Sequence, residues 1–109
     1  MGLFDRLRPR GDADAGPAAD QRYLREWAAQ RTGVEAFVEP QTNITDVTVV
    51  LVAGDGEWTR RRAGGTAGAR RLAERLRIPV YDVQRVGYPQ RMRDHDARRR
   101  VERRLLEEG

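Results

Sequence analysis

The chain has 109 residues, 39% hydrophobic and 35% charged, which suits one small domain with a compact core. It contains no cysteine, serine or lysine, so its 21 basic residues are all arginine. These absences exclude a disulfide scaffold, a zinc–cysteine or iron–sulfur site, a serine nucleophile, a Schiff-base lysine and a phosphate loop ending in Gly-Lys-Ser/Thr. The net charge of +4 indicates an anionic partner, although exclusive use of arginine is also typical of a GC-rich genome.

The first nineteen residues differ in composition from the rest of the chain. Leu3, Phe4 and Leu7 share one helical face, and residues 9–19 carry almost no large apolar side chain. We predict an N-terminal arm and flexible linker over 1–19 and a single α/β domain over 20–109. The arm suits a docking peptide or a weak membrane-surface anchor, and a frayed terminus is the simpler alternative. No apolar run approaches the ~20 residues that span a bilayer, and we expect a cytoplasmic protein.

The first half of the domain predicts one helix and three strands. Asp20 is a good N-cap for a helix that Gly33 ends. Residues 34–39 alternate as in a strand, and 46–53 have apolar residues on both faces, which is typical of a central strand. A Gly-Asp-Gly turn then leads into residues 57–62 as a hairpin.

The second half predicts a helix, a strand and a final helix. A glycine-rich turn opens the first of these helices and Pro79 ends it, before a fourth strand over 80–83. Residues 90–107 form a charged helix with sparse apolar positions. The predicted fold is therefore α/β (α+β): a small mixed four-stranded sheet, element order α-β-β-β-α-β-α, with helices on both faces and a parallel crossover.

The glycine-rich turn is the main candidate for a site. Free N–H groups and the helix dipole favour an anion where a helix begins. We predict an anion or phosphate site formed by the turn and by arginines around it: Gly64, Gly65, Thr66, Gly68, Arg60, Arg62, Arg70 and Arg91. A flexible strand-to-helix turn with no ligand is the alternative.

The same turn resembles a dinucleotide-binding fingerprint in part. Asp82 follows at about the ~20-residue offset of a ribose-binding acid, and Tyr88 is a second candidate for a ribose or polar contact. The glycine spacing is Gly-Gly-x-x-Gly, and the preceding strand is polar where the fingerprint has a buried parallel strand. We predict no bound cofactor.

Three further features carry open interpretations. Trp58 shares a strand face with Arg60, which suits base stacking or packing of the indole under arginine stems. The arginine cluster in 98–104 suits RNA, a solvated helix or a helix seated on a partner. His95 lies between two aspartates that face other directions on a helix, so we predict no metal site.

The element order also resembles the restriction-endonuclease-like core. That family places one acid at the start of its second strand and an acid-x-Lys motif on its third, to hold Mg²⁺ and a water. Asp46 and Glu57 occupy such positions, but the residue two beyond Glu57 is Thr59. The resemblance therefore implies a binding domain without nuclease activity.

Several segments resemble a short, uncharacterised protein family of high-GC bacteria whose members often carry a generic oxidoreductase label. They are Val34-Glu35-Ala36-Phe37-Val38-Glu39-Pro40, Asp55-Gly56-Glu57-Trp58-Thr59-Arg60-Arg61-Arg62, Ile78-Pro79-Val80-Tyr81-Asp82-Val83 and Gly87-Tyr88-Pro89-Gln90-Arg91-Met92-Arg93-Asp94. The resemblance covers roughly residues 20 to 98 and implies no catalytic residue.

We predict a non-catalytic, arginine-rich binding module for a phosphate-bearing partner (nucleic acid or nucleotide) or an acidic protein. One alternative is a nucleotide-dependent oxidoreductase or its accessory subunit, which needs a cofactor pocket. The other is a scaffold subunit that docks through the final helix and the N-terminal arm, in a homo-oligomer or a larger complex.

Overall fold

A computed structural model describes residues 11–108, with side chains from residue 18 onward. It confirms the predicted α/β fold and adds one short helix. The elements are α1 (Gly11–Ala29), β1 (Glu35–Glu39), β2 (Thr48–Val52), β3 (Trp58–Arg62), α2 (Gly65–Leu76), β4 (Val80–Asp82), α3 (Val83–Val86) and α4 (Gln90–Glu108). The strands form one sheet in the order β3-β2-β1-β4.

The direction of the strands defines two edges of the sheet. β2 is antiparallel to β1 and β3, whereas β4 is parallel to β1. β1, β3 and β4 therefore run the same way and end at the same edge, at Glu39, Arg62 and Asp82. We call this the carboxyl edge and the opposite one the amino edge.

The core lies on both faces of the sheet, as the two apolar faces of the central strand predicted. On one face, Val49 and Leu51 pack with buried residues of α1 and α2. On the other face, Val50 and Val52 pack with Phe37 and with Met92 of α4. All four β2 side chains are fully buried, and each contributes about 1.5–3 kcal/mol of hydrophobic free energy.

Helix α1 begins earlier than the sequence pattern indicated. It starts at Gly11, so residues 11–19, predicted as part of a linker, have helical backbone, and Asp20 lies inside the helix and is not its N-cap. Alanine is the strongest helix former and aspartate favours the start of a helix, whereas Gly16 and Pro17 oppose it. The mixed propensities explain why the sequence pattern did not indicate a helix over these residues. The predicted apolar face formed by Leu3, Phe4 and Leu7 lies outside the described residues.

The last two helices extend the predicted order. Asp82 accepts a hydrogen bond from the Gln84 backbone N–H at 2.9 Å and caps α3, so the helix begins at Val83, where the sequence predicted the last residue of the fourth strand. The first turns of α4 lie on the sheet, whereas residues 97–108 are exposed throughout, including the predicted apolar positions Val101 and Leu105. Over the described residues, none of the helices has the length and apolar character needed to cross a bilayer.

Gly56 fixes the contact between α4 and the β2–β3 hairpin. A Cβ there lies 2.0 Å from the backbone oxygen of Arg91 and 2.9 Å from the His95 Cβ, and φ is +94°. We expect Gly56→Ala to lower the free energy of unfolding by about 2–4 kcal/mol, because the clash adds to the cost of positive φ. Urea unfolding followed by tryptophan fluorescence measures it.

Gly65→Ala is the matched control for Gly56→Ala. Its φ is +78°, and no heavy atom lies within 4 Å of an added Cβ. Only the left-handed conformation is then penalised, by about 1–2 kcal/mol. Equal losses in the two variants would contradict the close approach of α4 to the hairpin.

Candidate functional site

Helix α2 begins at the carboxyl edge of the sheet, and no side chain of the described residues caps its first N–H groups. Its N-cap, Gly64, has φ 76° and ψ 40°, and the first turn contains no acidic residue. The backbone N–H groups and the positive end of the helix dipole are therefore available to an anion. This half of the predicted anion site has the geometry that the sequence indicated.

Gly68 plays a different part from the one predicted. It is buried, and a Cβ at this position lies 2.0 Å from the backbone oxygen of Ala63. Its N–H bonds to the Gly64 oxygen at 3.3 Å, inside the helix. Gly68 therefore allows α2 to pack tightly on the end of β3, and its prediction as a ligand contact is wrong.

A cleft of 250 Å³ opens beside the start of α2. It brings together Thr66 and Arg70, predicted as anion-binding residues, and Asp82, predicted as a ribose contact. The remaining lining residues are Val38, Pro40, Val80, Tyr81 and Gln84. The cleft is smaller than the ~300–1,000 Å³ of most ligand pockets, and β3 lies at the edge of the sheet, unlike the first strand of a dinucleotide-binding unit.

The predicted ring of arginines around α2 does not form. Arg60 makes a bidentate pair with Glu39, at 2.7 and 2.9 Å, on the sheet face opposite α2. Arg62 lies 3.4 Å from the carboxylate of Asp20 in α1. Both side chains are thus engaged by carboxylates, although they are about half exposed, and their predicted contacts to an anion stay predictions.

Arg91 is farther still from the predicted site. Its guanidinium group donates to Glu35 at 2.8 Å and to the backbone oxygen of Ala53 at 2.9 Å. Ala53 directly follows β2, so these contacts lie at the amino edge. Arg91 fastens α4 to the sheet and cannot reach the start of α2.

Trp58 is part of the core layer under α4. It is half-buried against this second core, its indole N–H donates to Asp96 at 2.9 Å, and Arg60 lies 5.2 Å from its ring. The structure therefore agrees more closely with the packed arrangement that the sequence left open, with the guanidinium group of Arg60 over the ring. The role of Trp58 in base stacking stays a prediction.

Tyr88 joins a hydrogen-bonded network around Glu39 and does not line the cleft. Its hydroxyl group donates to the Glu39 carboxylate, as do Arg60 and the Thr48 hydroxyl, the latter at 2.6 Å. Burial alone raises the pKa of Glu39, but these hydrogen bonds outweigh burial and hold the pKa at about 2. Burial, followed by the bond to Glu39, raises the pKa of Tyr88. The network is a structural link between β1, β3 and the start of α4.

The exposed face of α2 carries arginines that the sequence reading did not include in the site. Arg71, Arg75 and the C-cap Arg77 are exposed, as is Arg70. None of the four forms an ion pair or a side-chain hydrogen bond with another described residue. The one carboxylate of α2 is Glu74. The sequence already indicated these exposed arginines. The apolar positions of an amphipathic helix face the core, so its remaining positions face solvent.

The acids suggested by the endonuclease-like resemblance do not meet. Asp46 precedes β2 at the carboxyl edge, whereas Glu57 precedes β3 at the amino edge and forms a bidentate pair with Arg31, at 3.0 and 2.8 Å. Within the part of the chain that the structure describes, no cluster of three or more acids or histidines is positioned to hold a metal ion.

Comparison of the chain with protein-family models, with curated proteins and with solved structures finds no match. The resemblance to the family of high-GC bacteria therefore stays a prediction.

Glu39 makes the stability of the fold depend on pH. Its pKa of about 2 lies below the ordinary 4.5, so its contribution is complete above pH 4.5 and disappears as the pH falls to about 2. We expect Glu39→Gln to lower the free energy of unfolding at pH 7 by about 2–3 kcal/mol, and the gap to wild type to shrink at pH 3.

Urea unfolding at both pH values measures this effect. Glu26→Gln, at an exposed position of α1, is the control and should change stability little at either pH. A gap between wild type and Glu39→Gln that stays constant from pH 7 to pH 3 would show that the carboxylate is not held by these bonds.

Proposed function

We propose that this chain is a non-catalytic module that binds a phosphate-bearing polymer, a nucleic acid, through the exposed face of α2. The observation that carries the proposal is the contrast between the arginines of this helix and three arginines, two of β3 and one of α4, that are held in ion pairs. Arg60, Arg62 and Arg91 are paired with carboxylates, whereas the four arginines of α2 and its C-cap have no such partner among the described residues.

The positions of these arginines suit contacts to a phosphate backbone. Arg70 lies next to the uncapped start of α2 and shares the cleft with Thr66. Arg77 follows about two turns later on the same side of the helix, and Arg71 and Arg75 lie one turn apart beside them. Guanidinium groups recognise phosphate oxygens with paired hydrogen bonds, and such contacts position a nucleic acid without reading its sequence.

The surface supports backbone contacts better than base recognition. Trp58 is packed away from α2. Tyr81 borders the cleft, but its ring packs against Phe37, with ring centroids 5.3 Å apart, and its hydroxyl group donates to Glu35 on the other face of the sheet. The affinity should therefore come from release of counterions and depend strongly on salt, with little preference for sequence. The chain then acts as an electrostatic binding module, with no catalytic step of its own.

We expect Arg70→Gln, Arg71→Gln, Arg75→Gln and Arg77→Gln, combined in one chain, to abolish salt-dependent binding to a labelled 20-base-pair DNA and to RNA. For duplex DNA, each lost phosphate contact lowers the slope of log K against log salt by about 0.9. Fluorescence anisotropy from 50 to 300 mM salt gives both affinity and slope.

The matched control removes the same charge from another place. Arg99, Arg100, Arg103 and Arg104 of α4 are also exposed, and replacing all four with glutamine gives the same net charge as the α2 variant. The control should keep most of the affinity. Equal losses of affinity in both variants would show that binding depends only on net charge. A loss of affinity in the α4 variant alone would show that α4 forms the binding site.

A further inference from the structure

Strand β4 forms one open edge of the sheet. It pairs with β1 on one side, where the Pro79 carbonyl accepts the Ala36 N–H at 2.9 Å. Alternate residues of a parallel strand face the neighbouring strand, so the backbone of Val80 and the N–H of Asp82 point away from β1. These groups are available to a further strand, which would continue the sheet beyond β4.

A depression lies on each face of the sheet beside this edge. On the α4 side is an apolar groove of 240 Å³, lined by Phe37, Tyr81, Val86 and Pro89 together with Glu35 and Gly87. On the α2 side is the cleft with Thr66 and Arg70. Successive side chains of a strand point to opposite faces, so a strand added to β4 directs them alternately into the groove and the cleft.

The two depressions differ in chemistry. Val86 is 57% exposed at the rim of the groove, and Tyr81 of β4 is exposed beside it. Glu35, also in the groove, is already engaged by Arg91 and by the Tyr81 hydroxyl. The groove therefore favours an aliphatic or aromatic side chain.

The cleft on the other face favours a negatively charged side chain. Arg70 has no carboxylate partner among the described residues, and the cleft lies beside the uncapped start of α2. Asp82, the one acid in the cleft, directs one carboxylate oxygen to the Gln84 N–H at 2.9 Å, which compensates part of its charge. A carboxylate that enters the cleft therefore meets the guanidinium group of Arg70.

We propose that the β4 edge binds an extended peptide segment of a partner protein in which apolar and acidic residues alternate. Backbone hydrogen bonds to β4 supply affinity, and the groove and the cleft supply specificity. A second copy of the chain fits less well, because β4 has three residues and a stable dimer buries about 1,200 Å² or more. This proposal goes beyond the proposed function and does not rest on it.

A labelled heptapeptide of alternating valine and glutamate, added to the full chain, tests the proposal by fluorescence anisotropy. We expect saturable binding with a Kd below about 1 mM. Two N-methylated forms locate the backbone bonds, because methyl groups on the valine nitrogens block one edge of the peptide and those on the glutamate nitrogens block the other. One form should lose at least about tenfold in affinity and the other should bind nearly as well. Failure to bind, or equal affinity of the two forms, overturns the proposal.

Two protein variants test the groove and the cleft. Val86→Asp should weaken binding about tenfold or more, whereas Val101→Asp, at an exposed valine of α4, should not. Arg70→Gln should weaken binding of the valine–glutamate peptide but not of its valine–glutamine counterpart, and Arg75→Gln should affect neither. If Val86→Asp leaves the affinity for the valine–glutamate peptide unchanged, the groove does not bind its valine side chains. If Arg70→Gln leaves this affinity unchanged, the cleft does not bind its glutamate side chains.

Sedimentation of the free chain tests whether a second copy of the chain occupies the β4 edge. A dimer that Val86→Asp converts to a monomer would assign the edge to a second copy and overturn the proposal of a partner peptide. If the full chain binds DNA but not the peptide, the result contradicts this proposal alone. If it binds the peptide but not DNA, the result contradicts the proposed function alone.

Discussion

Strand β2 contributes Val49 and Leu51 to one face of the sheet and Val50 and Val52 to the other, and all four side chains are fully buried. A strand of this kind cannot border water on either side, so the chain must cover both faces. α1 and α2 cover one face, and the first turns of α4 cover the other. With both faces covered, charged side chains are left with the ends of the strands and the outer faces of the helices.

This constraint separates the arginines into two groups. Several arginines over the sheet or beside its ends have carboxylate partners, as Arg60 has Glu39 and Arg31 has Glu57. Arg61 of β3 instead lies over the Tyr23 ring and donates to the backbone oxygen of Arg60. A half-buried charge loses hydration, and these contacts compensate for that loss. The arginines on the solvent side of α2 keep their hydration and need no such partner. The arginines on the solvent side of α2 are therefore held by fewer contacts than the paired arginines of the sheet, which is the difference that the proposed function uses.

The sequence pattern predicted the layers of the fold well but not the neighbours of each charge. Alternation over β2 and helical spacing over α2 are local properties, and both elements lie where these patterns indicated. The partners of Arg60 and Arg91 depend on the insertion of β1 between β2 and β4, which no local pattern contains. The role of Gly68 likewise depends on a backbone contact with Ala63 that only the folded chain shows.

The two proposed surfaces meet at Arg70, which lies both on the exposed face of α2 and in the cleft beside β4. One guanidinium group cannot pair fully with a phosphate and with a peptide carboxylate at the same time. A nucleic acid on α2 therefore weakens binding of an acidic side chain in the cleft. Linkage requires the peptide to weaken nucleic-acid binding by the same factor. The apolar groove lies on the opposite face of the sheet and makes no contribution to this antagonism, so a peptide with glutamine in place of glutamate escapes it.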